Sequence, residues 1–90
     1  MEVEVEYDDD KDAENILKHG VSLALGALVI QNSIATIRSL QTTGEARYVA
    51  LARIEGRMML TIYTIRGSTH RIISVRPANR REQRRWLGSS

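Results

Sequence analysis

Apolar and polar residues alternate strictly at the start of the chain, Val3, Val5 and Tyr7 against Glu2, Glu4 and Glu6. A period of two predicts a half-buried strand over Glu2 to Tyr7, at the outside of a sheet. Asp8 offers an N-cap for a helix in which Ala13, Ile16 and Leu17 share one face and Lys11, Asn15 and Lys18 line the other. A basic last turn followed by glycine, His19-Gly20, closes that helix. Ser22 can cap a second helix from about Leu23 to Gln31, but Leu23-Ala24-Leu25-Gly26-Ala27-Leu28 is apolar on nearly every side, so it needs cover from two directions or a partner.

Downstream the period returns to two. Ser33 to Leu40 reads as a strand, Gln41 to Gly44 as a turn and Glu45 to Ile54 as a strand, with Glu55-Gly56 as a tight hairpin. Arg57 to Ile65 continues the sheet, with Met58, Leu60 and Ile62 on one face and Arg57, Met59, Thr61, Tyr63 and Ile65 on the other. Arg66-Gly67-Ser68 turns the chain into a last strand, Thr69 to Arg76, which Pro77 ends. Asn79 and Glu82, three apart, make a capping box for a short helix from Arg80 to Leu87. The predicted class is α+β: an N-terminal strand and two helices packed on an antiparallel meander sheet, then a short C-terminal helix. Residues 1–87 form one domain, and 88–90 read as a frayed or vector-derived tail.

Composition narrows the chemistry. Ninety residues without cysteine give one modest core and no disulfide or thiolate metal site. The acidic start is unlike a targeting peptide, and the apolar run Val21 to Ile30 is too short to cross a membrane, so a cytoplasmic protein is expected. The net charge of +2 conceals an asymmetry: eight of eleven acids precede Asn15, whereas from Arg47 onward ten arginines stand against Glu55 and Glu82, a local balance of +8. None of those ten cations is lysine. A planar, permanently charged, bidentate guanidinium suits phosphate, so the expected partner is a nucleic acid, the alternative being a solvated, salt-bridged surface.

Several chemistries lack their residues. Two histidines, His19 and His70, with scattered acids do not make a zinc motif, and no Gly-x-x-x-x-Gly-Lys loop is present. What remains is arginine with Lys18, His19, Glu45, Tyr63 and His70 as proton-transfer candidates. Such a set fits RNA better than DNA, because the 2′-hydroxyl supplies its own nucleophile and needs only a base, an acid and cations, with no metal or other cofactor obligatory.

The motifs Tyr7-Asp8, Lys11, Asn15 and Lys18-His19-Gly20-Val21-Ser22, then Gly44-Glu45-Ala46-Arg47, Gly56-Arg57, Tyr63-Thr64-Ile65-Arg66-Gly67 and Arg71-Ile72-Ile73-Ser74-Val75-Arg76-Pro77-Ala78-Asn79-Arg80-Arg81-Glu82, occur in the order and spacing of a family. The chain resembles the BrnT-type toxins of bacterial type II toxin–antitoxin pairs. The resemblance implies a RelE-like fold, ribonuclease activity that arrests translation, and a neutralising ribbon-helix-helix antitoxin through which operator DNA is bound. The chain departs from the family pattern in the second helix, where acidic residues and an aromatic are replaced by Leu23 to Leu28, a change that falls on packing or partner contacts.

Residues and resemblance together nominate Lys18, His19, Glu45, Arg57, Arg71 and Arg76 as catalytic, and Arg47, Arg66, Arg80, Arg81 and Arg84 as RNA-binding, with no metal site. Each has a plainer reading. His19 can be a helix-end residue, Lys18 part of a solvated face, Glu45 an ion-pair partner for Arg47 or Arg57, Tyr63 a core-edge aromatic, and one or two arginines structural partners of the acidic N-terminus. The competing function is a noncatalytic nucleic-acid-binding or co-repressor module.

Overall fold

A computed structural model describes residues 3–39 and 45–87. The elements are β1 (Val5–Glu6), α1 (Asp9–His19), a 3₁₀ turn (Leu23–Leu25) running into α2 (Gly26–Gln31), β2 (Ala35–Ser39), β3 (Arg47–Ile54), β4 (Arg57–Arg66), β5 (Thr69–Pro77) and α3 (Arg80–Leu87). The five strands form one sheet in the order β1-β5-β4-β3-β2. β2 to β5 are the expected antiparallel meander, while β1 joins parallel to β5 through Val5 opposite His70 and Glu6 opposite Arg71. The class is α+β, as expected, with a mixed sheet rather than a purely antiparallel one. The alternation of the first strand is present, Val3, Val5 and Tyr7 half-buried and Glu4 and Glu6 exposed, but only two of its residues pair before the chain leaves for α1. The turn at Gln41 to Gly44 and the tail at 88–90 lie outside the described residues.

Both faces of the sheet are covered, which explains why β4 looked apolar on one face and mixed on the other. Toward α1 and α2, Ala50, Ala52, Met59, Tyr63, Ile72 and Val75 pack with Leu23 and Val29. On the opposite face Val49, Leu51, Met58 and Leu60 pack with Ala78 and, from α3, Trp86. Gly26 lies so close to β5 that a Cβ there would stand 2.9 Å from the Ile72 side chain, so the apolar second helix seats directly on the sheet. Its burial is partial. Leu23, Gly26 and Val29 are enclosed, whereas Ala24 and Leu28 are exposed.

α1 faces opposite to what its amphipathicity suggests. Leu17 is 89% exposed and Ile16 47%, while Asn15, from the polar face, is the one buried residue of the helix. Hydrogen bonding explains the inversion. The Asn15 amide Nδ2 donates to the carbonyls of Val21 (2.9 Å) and Val75 (2.8 Å), and its Oδ1 accepts from the Val75 N–H (3.4 Å). β1 is too short to pair with this part of β5, so the Asn15 amide completes the strand edge, where unsatisfied backbone groups are costly. Asp12 adds a second tie, accepting from the Ser22 hydroxyl (2.8 Å) and the Leu23 N–H (2.6 Å).

Candidate functional site

Asp8 accepts from the backbone N–H groups of Asp10 and Lys11, which fixes the start of α1, and Gly20 in the left-handed region ends it by donating to the Ile16 carbonyl. Between those ends Asp8, Lys11, Asn15 and Lys18 recur every three or four residues and form one stripe aimed at β5. Across from the stripe, β5 carries an irregularity: Ile62 pairs with Ser74 but Tyr63 with Ile72, so Ile73 is an extra residue in the ladder. The result is a cleft of about 410 Å³ walled by Asp8, Lys11, Glu14, Asn15, Lys18 and His19 on one side and by Arg71 to Ser74 on the other. Three nominated residues, Lys18, His19 and Arg71, meet there. Lys18 is exposed and His19 half-buried, and among the described residues neither has a carboxylate partner.

Arg71 also belongs to the sheet face opposite α1 and α2. It stands beside Glu6 on β1 and opposite Thr64 on β4, and the β3–β4 register continued one residue beyond the Tyr48–Tyr63 pair brings Arg47 to the other side of Thr64. The row Glu6, Arg71, Thr64, Arg47 thus crosses four strands. Glu6 holds Arg71 through a 2.7 Å contact, and Glu45 approaches Arg66 at 3.7 Å. The Thr64 hydroxyl is buried and has no hydrogen-bond partner.

Arg76 sits further along β5, opposite Leu60, in a different setting. Its two terminal nitrogens contact the two oxygens of Glu82 at 2.7 and 2.5 Å. Glu82 simultaneously accepts from the Asn79 N–H at 3.0 Å while its own N–H donates to the Asn79 side chain at 2.8 Å, the capping box expected from the sequence. The Arg76 hydrogen bond and charge hold the Glu82 carboxyl below its ordinary range, against an opposing push from burial, and Glu82 raises Arg76 in turn. Arg80, Arg81 and Arg84 are exposed on α3. Arg57, beside the Glu55-Gly56 turn, is at the opposite end of β4 from Arg66, about 30 Å away at strand rise, and the two cannot contact one phosphate.

Tyr63 is buried, with its ring stacked on Tyr48 at 5.5 Å and tilted against His70 at 5.4 Å. Burial, and secondarily Tyr48, raises its hydroxyl above the usual phenol range. This is the geometry of the core-edge aromatic. Asn15 and Ser74 in the cleft and Thr64 in the arginine row stand outside the nominated residues. The spacing of Asn15 with Lys11 and Lys18 was a usable signal for the first, but only strand register identifies the other two. Among the described residues no group of three His, Asp or Glu side chains is placed to hold a metal, and no single helix is long and apolar enough to span a membrane.

Comparison with known proteins bears on the whole arrangement. No curated protein matches by sequence. The crystal structure of the Brucella abortus ribonuclease toxin BrnT, at 1.1 Å resolution, is similar to 87% of this chain and 99% of its own, with a TM-score of 0.66 and 24% identity, a likeness of fold. The family model described as the ribonuclease toxin BrnT of type II toxin–antitoxin systems matches residues 7–82, which include α1, the cleft, every strand after β1 and the Arg76–Glu82 pair. The chain therefore belongs to the BrnT family, the ribonuclease toxins of type II toxin–antitoxin systems.

Proposed function

We propose that the cleft between α1 and β5 is the RNA-cleaving centre of a metal-independent endoribonuclease. The observation that carries this reading is the meeting of Lys18, His19 and Arg71 at one opening, with Arg47 and Arg66 further along the same end of the sheet. His19 takes the proton of the 2′-hydroxyl as its oxygen attacks the adjacent phosphorus. Arg71, exchanging Glu6 for phosphate, and Lys18 stabilise the negative charge of the crowded intermediate. The P–O5′ bond breaks, Lys18 protonates the departing oxygen, and the products are a 2′,3′-cyclic phosphate and a 5′-hydroxyl. Arg47, Arg66 and the α3 arginines Arg80, Arg81 and Arg84 attract and align the strand. Glu45 is a second base candidate once released from Arg66. Arg57 serves the same RNA at a distance from the attacked phosphate, and Arg76, both of its terminal nitrogens held by Glu82, supports the fold of the site.

In this reading RNA cleavage arrests translation in the cytoplasm, and the antitoxin, a ribbon-helix-helix protein, silences the chain by laying an acidic segment across the same arginines and carries the complex to operator DNA. The test is incubation of purified chain, free of antitoxin, with RNA in excess chelator. Cyclic-phosphate ends are expected. RNA left intact at micromolar protein refutes the catalytic reading and leaves the binding-module alternative, for which the salt slope of RNA binding is the measurement.

A further inference from the structure

Thr64 has the one buried side-chain atom of the described chain left without a hydrogen-bond partner. At 1% exposure it is as enclosed as the core leucines, yet its hydroxyl contacts no acceptor and no donor. A buried hydroxyl in that state opposes folding, and an isosteric valine would remove the penalty, so the hydroxyl has no role in stability. By contrast Thr61, three residues earlier on β4 and on the other face of the sheet, is equally buried and donates to the Ser74 carbonyl at 2.9 Å. The sheet can satisfy a buried threonine where it needs to.

The location of the orphan is informative. Thr64 alternates with Tyr63 and so projects from the face opposite α1 and α2, in the row Glu6, Arg71, Thr64, Arg47. Directly opposed side chains on one sheet face have Cβ atoms about 5 Å apart, within reach of a single phosphate. Two arginine positions therefore flank a hydroxyl that has a proton to donate. Neither arginine competes for it, since both are donors only. The Arg71 guanidinium is drawn away from Thr64 toward the β1 edge by Glu6, through a single exposed contact that a phosphate can replace. Both arginines of the row have long, flexible side chains that can reach a phosphate without movement of the sheet.

We infer that Thr64 is the floor of a phosphate subsite formed with Arg47 and Arg71, its hydroxyl donating to a non-bridging oxygen of the RNA backbone. The inference rests on the proposed RNA-cleaving role of the α1–β5 cleft, to which this row is joined through Arg71. Thr64 is a ligand of the bound phosphate and takes no proton in the reaction. Its orphan state in the free protein is the stability cost of a site completed by substrate.

The test compares Thr64→Val and Thr64→Ser with the parent chain, using thermal melts and the affinity for a fully 2′-O-methylated RNA oligonucleotide, which binds but offers no nucleophile. The valine variant is expected to melt about 2–8 °C higher and to bind the oligonucleotide about tenfold more weakly, the magnitude of a hydrogen bond to a charged acceptor. The serine variant keeps the donor and is expected to bind within about twofold of the parent. Equal affinity of the valine variant and the parent overturns the inference, as does weaker binding accompanied by a lower melting temperature, which would make the hydroxyl structural. A parent chain that fails to bind the oligonucleotide overturns the RNA reading itself and the Thr64 assignment with it. A parent that binds while the valine variant binds equally removes only the assignment.

Discussion

Two arginines five residues apart on β5, Arg71 and Arg76, each hold a carboxylate, and the settings of the two pairs differ. Arg76 and Glu82 are 28% and 14% exposed, joined by two contacts, with the carboxylate further fixed by the Asn79 capping box. Arg71 and Glu6 are 32% and 45% exposed, joined by one contact, and Glu6 comes from the shortest strand of the sheet. The first pair staples α3 to the sheet and helps to hold Ala78 and Trp86 over the core on the face opposite α1 and α2. The second can open without disturbing any packed element. Identical residue types therefore have different roles, and what separates them is how much of the fold depends on the carboxylate.

The largest effect should come from the open pair. Arg71→Ala is expected to lower RNA cleavage about 100-fold or more, the usual consequence of removing one group that stabilises developing charge, while the melting temperature stays near that of the parent. Arg76→Ala should reverse the pattern. Stability falls by about 2–3 kcal/mol in denaturant titration, because a partly buried carboxylate is left unpaired, and activity at a temperature where the variant is folded falls less than for Arg71→Ala. If Arg76→Ala remains stable and loses cleavage instead, the distinction between the two arginines is wrong.

Asn15 provides the next test. Asn15→Ala removes three hydrogen bonds to backbone at Val21 and Val75 and should cost about 2–4 kcal/mol, read as a lowered denaturant midpoint with unchanged slope. Asn15 also shows where the sequence could be read and where it could not. The antiparallel meander of β2 to β5, both helix caps of α1, the Glu55-Gly56 hairpin and the Asn79–Glu82 box follow from local rules, and each is in place, whereas the parallel pairing of β1 with β5 does not. The orientation of α1 does not, because its apolar stripe at Ala13, Ile16 and Leu17 predicts the wrong buried face. Three hydrogen bonds to a strand edge 60 residues away decide the matter, and no local pattern contains them. The same limit applies to the site. Lys18 and His19 were legible as neighbours in a motif, but their meeting with Arg71 depends on the extra residue at Ile73, and the separation of Arg57 from Arg66 on the length of β4.

The Arg76–Glu82 pair also has a pH signature. Because the folded state lowers the Glu82 pKa below its ordinary 4.5, the carboxylate form binds Arg76 and stabilises the fold at all pH values above that figure. Protonating Glu82 removes the stabilisation as pH falls from 4.5 through the lowered folded value. Glu82→Gln should be less stable than the parent by about 1–2 kcal/mol at pH 7, and the difference should shrink as pH is lowered through that window. A difference that persists at low pH would assign the loss to packing.

The smallest effect, and the sharpest test of the comparison, belongs to Glu6→Gln. Exposed ion pairs contribute little to stability, so the melting temperature should not change measurably. In the proposed site Glu6 and an RNA phosphate compete for the same guanidinium, so removing the carboxylate's charge would remove the competitor. Affinity for 2′-O-methylated RNA should rise about 2- to 5-fold at low salt, the range that corresponds to an exposed ion pair, and the gain should fade as salt screens the pair in the parent. A fall in affinity would mean that Glu6 orients Arg71 for phosphate as Glu82 orients Arg76 for the fold. In that event the two pairs would differ in position alone.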